Sequence, residues 1–118
     1  MLKAFSKILV IFALLSSSVF AYQEATRVRA SHILVKTRAE AIQIKKDIDN
    51  GGDFGYYART YSLCPSSQRD GDLGYFKRGQ MVKPFEDAAF ELEKGQISQP
   101  VQTQFGWHLI KVVDKKYE

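Results

Sequence analysis

The sequence predicts an α+β domain in which about three helices pack around a four-stranded, mainly antiparallel sheet. Apolar residues alternate with other residues over 28–35 and 107–113, which predicts a strand near each end of the domain. Between these strands, apolar residues recur at helical spacing in three segments. A stretch with three glycines, residues 71–85, interrupts the regular elements. The resulting order of elements is β-α-α-β-α-β-β.

Residues 1–21 have the pattern of a secretory signal peptide. Lys3 and Lys7 precede an apolar run over 8–15, and small residues lead up to Ala21, where cleavage is predicted. The apolar run is shorter than the roughly 20 residues that a membrane-spanning helix needs. We therefore expect export, into a bacterial periplasm, with no stable membrane association after cleavage; an uncleaved anchor is the less favoured alternative.

Charge and cysteine content exclude two classes of protein. Cleavage would remove two basic residues and no acidic one, so the formal net charge of +4 would fall by two. No basic cluster is longer than two residues, which argues against nucleic-acid binding. The single cysteine, Cys64, cannot form an internal disulfide. We expect a short leader at 22–26 and one domain, 27–118, that is stabilised by core packing.

The first strand is followed by two predicted helices. In the strand, alternation places Val28, Ala30, His32 and Leu34 on one face. Thr37 and Glu40 form a capping box that begins the first helix, and residues 50–52, with two glycines, end it. Its predicted apolar stripe consists of Ala41, Ile44 and Ile48. Asp53 is placed to cap the second helix, whose predicted stripe consists of Phe54, Tyr57, Ala58 and Tyr61.

The second half of the domain begins with a predicted loop over 62–70 and a short strand over 73–76. Pro84 suits the first turn of a third helix, which we expect Gly95 to end. The apolar face of that helix consists of Phe85, Ala88, Ala89 and Leu92. Residues 96–101 are predicted as an edge strand because Pro100 has no N–H to donate. A turn at 103–106 leads to the last strand, where His108 shares a face with two apolar residues.

The domain has two histidines, and both lie on otherwise apolar strand faces. A histidine in such a place is usually a hydrogen-bonded core residue. If the two strands are neighbours, the imidazoles of His32 and His108 can hydrogen-bond each other and avoid the cost of burying an unpaired polar group. Cys64 is a third polar candidate, just ahead of the glycine-rich stretch.

Three chemistries could use two histidines and a cysteine. A structural zinc site needs four ligands with tight local spacing, which positions 32, 64 and 108 do not provide. A Cys/His nucleophile is possible, but no oxyanion-binding element is recognisable. The third possibility is a non-covalent polar cluster that faces an apolar pocket on the 71–85 stretch. The residues alone leave these alternatives open.

Four segments resemble the parvulin (rotamase) family of peptidyl-prolyl cis/trans isomerases. They are residues 31–36, 61–66, 71–86 and 105–108, in the family's order, and the resemblance covers nearly all of 27–115. It implies eight site residues. Those implied for catalysis are His32, Cys64, Thr103 and His108. Those implied for holding the substrate proline are Leu73, Met81, Phe85 and Phe105.

The resemblance also implies the activity. It predicts non-covalent catalysis of X–Pro bond rotation, without a cofactor or metal, on unfolded segments of exported proteins, by a domain that is expected to be a monomer. Lys36 and Arg38 are the only basic residues between the first strand and the first helix. We therefore expect no specificity for phosphorylated substrates. The alternative is a chaperone-like peptide-binding module with weak or no isomerase activity.

Overall fold

The computed structural model describes residues 23–118, and the predicted signal peptide lies outside them. Four strands, three α-helices and one 3-10 helix follow one another along the chain. They are β1 (Arg27–Val35), α1 (Arg38–Asp49), α2 (Phe54–Tyr61), the 3-10 helix (Pro65–Arg69), β2 (Asp72–Phe76), α3 (Lys83–Glu91), β3 (Val101–Thr103) and β4 (Gly106–Lys116). The predicted α+β class and the order of strands and α-helices are confirmed.

The four strands form one antiparallel sheet in the order β2-β1-β4-β3. The first and last strands of the domain are thus neighbours at its centre. In their register His32 lies opposite Ile110, and Leu34 lies opposite His108. Because directly opposed residues share a face, the two histidines are diagonal neighbours on one side of the sheet.

Helices cover both faces of the sheet. On one face, Val28 and Ala30 of β1 join a buried cluster that includes Phe85 and Ala89 of α3. On the other face, Ile33 of β1 joins a second cluster with residues of α1 and α2. The alternation predicted for β1 is therefore present, but both of its faces are buried.

The predicted helix starts are confirmed. The Thr37 hydroxyl accepts a hydrogen bond from the Glu40 N–H at 3.2 Å, and Asp53 accepts one from the Tyr56 N–H at 2.9 Å. In α2, however, Tyr61 does not belong to the buried stripe. Its surface is 51% exposed because it is the last residue of the helix, beyond the edge of the core.

Two predicted boundaries in the middle of the chain are wrong. The segment 62–70 is not only loop: Pro65, whose ring presets a helical φ, begins a 3-10 helix within it. The third helix ends at Glu91, four residues before Gly95. Its end is stabilised by the Lys115 ammonium, which donates hydrogen bonds to the carbonyls of Phe90 and Leu92.

The predicted edge strand at 96–101 is also wrong, since β3 comprises only Val101–Thr103. The edge position itself is confirmed. Residues before β3 lie beside β4 without a regular ladder. Only Ile97 forms an isolated bridge, and the Ser98 side chain accepts the Ile110 N–H at 2.9 Å in place of a backbone carbonyl.

The described part of the leader is attached to the domain. Ala25 is buried, and the Thr26 N–H donates to the Lys116 carbonyl at 2.7 Å. Arg27 forms an ion pair with Glu118 at 2.7 Å. The two ends of the described chain therefore meet at the end of β4.

Candidate active site

The two histidines form a direct pair. Nδ1 of His32 and Nδ1 of His108 are 3.0 Å apart, and the rings stack with centroids separated by 5.2 Å. Both residues are buried. A hydrogen bond between two Nδ1 atoms requires that one carries a proton and the other does not, so the pair cannot be doubly protonated without breaking this contact.

Burial keeps both rings neutral at neutral pH. It lowers the pKa of His32 to about 4, with a further contribution from the nearby His108. It also lowers the pKa of His108 to about 4. Removing an imidazolium from water is unfavourable, and neither ring has an acidic partner to offset that cost.

Thr103 extends the pair into a chain of hydrogen bonds. Its hydroxyl lies 2.7 Å from Nε2 of His108 and also accepts the Phe105 N–H at 3.1 Å. At the other end of this chain, Nε2 of His32 is buried and has no hydrogen-bond partner among the described residues. A buried polar atom without a partner costs stability, and such atoms are often found where function, not folding, has determined the residue.

The histidine pair forms the floor of an apolar cavity of about 500 Å³. Phe85, which is buried, presents its ring edge-to-face to both imidazoles, with centroids 5.5 Å from His32 and 5.3 Å from His108. Leu73 and Met81 pack on the core cluster beside α3 and form the wall next to Phe85. Phe105 lies at the opening and is 60% exposed.

Cys64 lines the same cavity and is half-buried with a free thiol. It directly precedes the 3-10 helix. The segment that carries it is held against β1, because the Leu34 N–H donates to the Ser62 hydroxyl at 3.0 Å and the Leu63 N–H donates to the Leu34 carbonyl at 2.8 Å. The hydrogen bonds of the strand thus determine where the thiol lies.

Gly71 brings the glycine-rich stretch against β1. Its carbonyl accepts the His32 N–H at 2.9 Å, and its φ is +85°. A Cβ at this position would collide with the His32 carbonyl oxygen. Only glycine combines this backbone conformation with so close an approach, which explains its place beside the site.

The structure brings the predicted site residues together. Seven of the eight line the one cavity, and Thr103 reaches it through His108. Their roles stay predictions. The cavity has further lining residues that sequence reasoning did not single out, namely Leu34, Leu63, Pro65, Gln80 and Val82. Leu34 had a usable signal, since it shares the face of β1 that carries His32.

Glu86 was also missed. It is buried on α3, and its carboxylate accepts hydrogen bonds from the Gly79 N–H and, at 3.1 Å, from the Arg78 guanidinium. Arg78 lies over the ring of Phe90, 4.5 Å from its centroid. These contacts attach the loop that carries Met81 to the helix that carries Phe85. The sequence offered no signal, because an acidic residue in the first turn of a helix is usually exposed.

Residues 23–118 contain no group of three or more histidine, cysteine, aspartate or glutamate side chains arranged to hold a metal ion. His32, Cys64 and His108 therefore do not form such a group. Within the same residues, each helix is too short or too polar to cross a membrane.

The sequence of the chain matches known proteins. The family model of the PPIC-type PPIase (rotamase) domain matches residues 19–114. The chain is 53% identical over 91 residues to the foldase protein PrsA of Geobacillus sp. strain WCH70, which covers 76% of this chain and 33% of PrsA. The chain thus spans about a third of the length of the curated relatives it matches.

Solved structures share the fold. The crystal structure of the peptidylprolyl isomerase PrsA from Bacillus anthracis matches with a TM-score of 0.77 and 45% identity, over 80% of this chain and 44% of that one. The solution structure of NmPin, the parvulin of Nitrosopumilus maritimus, matches with a TM-score of 0.70 and 43% identity, over 76% of this chain and 98% of that one.

Proposed function

Because the chain belongs to the PPIC-type, or parvulin, family of peptidyl-prolyl isomerases, we propose that residues 27–118 catalyse cis/trans isomerisation of X–Pro bonds. One observation carries the proposal: an apolar cavity of about 500 Å³ lies directly on a buried pair of neutral histidines. Such a cavity accepts a proline ring and places uncharged imidazole rings beside the adjoining amide.

The reaction needs rotation and no bond cleavage. Rotation about a peptide bond costs about 18–20 kcal/mol because resonance is lost midway. For X–Pro bonds the two end states are close in energy, and uncatalysed exchange takes roughly tens to hundreds of seconds. A site accelerates the exchange if it binds the twisted amide more tightly than either planar form. Each 1.4 kcal/mol by which the twisted amide is preferred raises the rate about tenfold.

The wall and the floor of the cavity contribute in different ways. Leu73, Met81 and Phe85 hold the proline ring while the acyl side turns. The planar amide is the more charge-separated form, so dry surroundings disfavour it relative to the twisted amide. His32 and His108, as neutral rings joined to Thr103, stay uncharged beside the amide throughout the rotation.

In this mechanism Cys64 acts as a polar group near the carbonyl and not as a nucleophile. The family resemblance implies that its position holds either a cysteine or an acid. Cys64→Asp should therefore retain isomerase activity, because a non-covalent role needs a polar group at this position but not a thiol. We expect kcat/KM within about tenfold of the wild-type value, which corresponds to about 1.4 kcal/mol of transition-state binding. Complete loss of activity in a correctly folded Cys64→Asp protein would contradict the non-covalent role.

The substrates that we propose are exposed, proline-containing segments of unfolded, exported polypeptides. The support is the predicted signal peptide at 1–21 and the foldase relatives named above. We propose a bacterial periplasm as the destination. We propose that the domain acts as a monomer and without phosphate specificity. Lys36, which follows β1, and Arg38, the first residue of α1, do not line the cavity.

An exchange assay tests the activity. NMR exchange spectroscopy on short X–Pro peptides should show faster cis/trans interconversion when catalytic amounts of the protein are added. Peptide binding without faster exchange would overturn the enzyme proposal and favour the chaperone-like alternative. Binding by itself does not separate the two functions, because both require it.

A further inference from the structure

The loop between β2 and α3, residues 77–82, supplies one side of the cavity. Gln80, Met81 and Val82 all line the cavity. Within the loop, the Lys77 N–H donates to the side-chain carbonyl of Gln80 at 2.7 Å. The contacts between this loop and the rest of the chain therefore determine how that side of the cavity is held. One of these contacts comes from outside the predicted domain.

Arg78 attaches the loop on several sides. Its Nη1 donates to the buried Glu86 carboxylate at 3.1 Å and to the Asp87 carboxylate at 3.3 Å. On another edge of the guanidinium, Nε donates to one carboxylate oxygen of Glu24 at 2.6 Å, and Nη2 lies 2.5 Å from the same oxygen. The guanidinium also lies over the Phe90 ring, 4.5 Å from its centroid. The group is thus held from two edges and one face.

Glu24 belongs to the segment that precedes the predicted domain, and this segment is itself fixed. Ala25 is buried in the core cluster that contains Phe85. The neighbouring Thr26 donates its N–H to the Lys116 carbonyl at 2.7 Å. A carboxylate on an anchored segment can restrain a loop, because the cost of ordering that segment has already been met by other contacts.

The two acidic partners of Arg78 differ in what they can contribute. Glu86 is buried, so its carboxylate needs the counter-charge of Arg78. The Arg78 and Glu24 side chains are 43% and 42% exposed, and ion pairs with such exposure add little to stability. The contribution of Glu24 is therefore positional: it occupies the edge of the guanidinium that Glu86 leaves free and limits the rotation of the Arg78 side chain.

We propose that Glu24 is a positioning residue for the candidate active site. By holding Arg78 it restricts the 77–82 loop, and with it the part of the cavity wall that Met81 forms. Neither Glu24 nor Arg78 lines the cavity, so the effect is indirect. The effect on catalysis rests on the proposed isomerase function. The segment before residue 27 then belongs to the working domain and is not only a leader.

The kinetic test compares Glu24→Ala with Glu24→Gln on one uncharged X–Pro peptide with blocked ends. Alanine removes the contact with Arg78, so KM should rise about threefold while kcat changes less than about twofold. Glutamine keeps a carbonyl oxygen for the guanidinium and should bring KM part of the way back. Glu118→Ala is the matched control, because Glu118 pairs with Arg27 and not with Arg78, and its KM should equal that of the wild type.

Salt provides a readout that a merely structural role would not change. Among the described residues, no lysine, arginine, aspartate or glutamate lines the cavity, so an uncharged peptide meets no charged side chain there. Exposed ion pairs are screened by salt. The wild-type KM should therefore rise toward the Glu24→Ala value between about 0.05 and about 0.5 M sodium chloride. The KM of Glu24→Ala should change much less over this range.

Amide hydrogen exchange tests the contact without catalysis. The Gly79 N–H donates to the Glu86 carboxylate, so it should exchange severalfold faster in Glu24→Ala if the loop is less restrained. The His32 N–H, which is bound to the Gly71 carbonyl, should exchange at the wild-type rate.

Unchanged exchange at Gly79, or an unchanged KM, in correctly folded Glu24→Ala would overturn the proposal. An equal rise of KM in Glu118→Ala would also overturn it, because that result would point to a general loosening of the chain ends. If the wild-type protein accelerates no peptide, the isomerase function is overturned, and the exchange rate of Gly79 still decides whether Glu24 restrains the loop.

Discussion

His32 and His108 are the residues whose properties depend most on their surroundings. On adjacent strands their Nδ1 atoms share a hydrogen bond, and burial lowers the pKa of each ring to about 4. A pair of neutral imidazoles is compatible with an apolar cavity, whereas an imidazolium in that place would attract water and counter-ions. The same two residues therefore bear on stability and on the proposed activity.

The free energy of unfolding should fall as the pH drops from about 6.5 to about 4. The pKa of histidine is 6.5 in the unfolded chain and about 4 in the folded one for both residues, so between these values the unfolded chain binds more protons. The stabilisation is complete above pH 6.5 and is lost toward pH 4. Each histidine contributes at most about 3 kcal/mol to this fall in the free energy of unfolding. Urea denaturation at several pH values measures the free energy of unfolding and therefore its dependence on pH.

The control is the double variant His32→Gln, His108→Gln, in which no histidine remains. Its stability should change little over the same pH interval, even though the variant is less stable overall. An equally steep loss in the double variant would show that other groups cause it. NMR titration of the wild-type rings with pKa values above 6 would also contradict the prediction.

At the scale of elements, the glycine-rich stretch makes two backbone contacts that position different parts of the candidate site. At Gly71 the backbone approaches β1 and accepts the His32 N–H. At Gly79 the backbone donates to the buried Glu86 carboxylate of α3. The first contact positions the histidine floor, and the second positions the loop that carries Met81. The floor and the wall are therefore fixed by different contacts of one segment.

Gly71→Ala should be more destabilising than Gly95→Ala. Both glycines have a similar positive φ, +85° and +90°, so alanine is strained by roughly 1–2 kcal/mol at either position. At Gly95 the added Cβ meets no atom within 4 Å, whereas at Gly71 it collides with the His32 carbonyl. Chemical denaturation should show an additional loss for Gly71→Ala of about 1 kcal/mol or more. Equal losses in the two variants would contradict the close approach.

Glu86→Ala should weaken substrate binding more than Glu86→Gln. Alanine removes the buried carboxylate that accepts hydrogen bonds from the Gly79 N–H and the Arg78 guanidinium, and so frees the loop that carries Met81. A hydrogen bond to a charged group contributes about 1.5–3 kcal/mol. Glutamine still offers a carbonyl oxygen to that N–H. We expect KM to rise severalfold in Glu86→Ala with a smaller change in kcat, and to be partly restored in Glu86→Gln. An equal loss of kcat in both variants, with KM unchanged, would contradict a positioning role for Glu86.

At the scale of the whole molecule, the described residues pack as one sheet with helices on both faces and two buried clusters. The curated relatives are about three times as long as the part that matches. What they share with this chain is the matched segment of about 91 residues. NmPin, in which the match covers 98% of the chain, has this fold without a large additional part.

The chain from residue 22 to residue 118 should unfold reversibly, at a midpoint that depends neither on reductant nor on protein concentration. With one cysteine, no internal disulfide constrains the unfolded chain, and a monomer has no association equilibrium to shift. Thermal denaturation with and without dithiothreitol measures the dependence on reductant. The same measurement over a hundredfold range of protein concentration measures the dependence on concentration. A midpoint that rises with protein concentration would contradict the proposed monomeric state.

Much of the architecture was predictable because it depends on local signals. Thr37 and Asp53 cap their helices as their side chains require, and the alternation around His32 and His108 identified both central strands. The predictions failed where a distant residue intervened: Lys115 stabilises the early end of α3, and the Ser98 side chain replaces a backbone carbonyl beside β4. Such partners are far apart in the sequence and leave no local pattern.

The sequence by itself determined the α+β class, the family resemblance and the residues proposed for catalysis, because periodicity, caps and motifs are properties of short segments. Only the tertiary structure decided that β1 and β4 are neighbours and that their histidines therefore pair as neutral rings. It also revealed the buried Glu86 contact and the further cavity residues Leu34 and Leu63. Burial and proximity between distant segments arise only when the chain is packed, and these two quantities control the pKa values and the shape of the cavity.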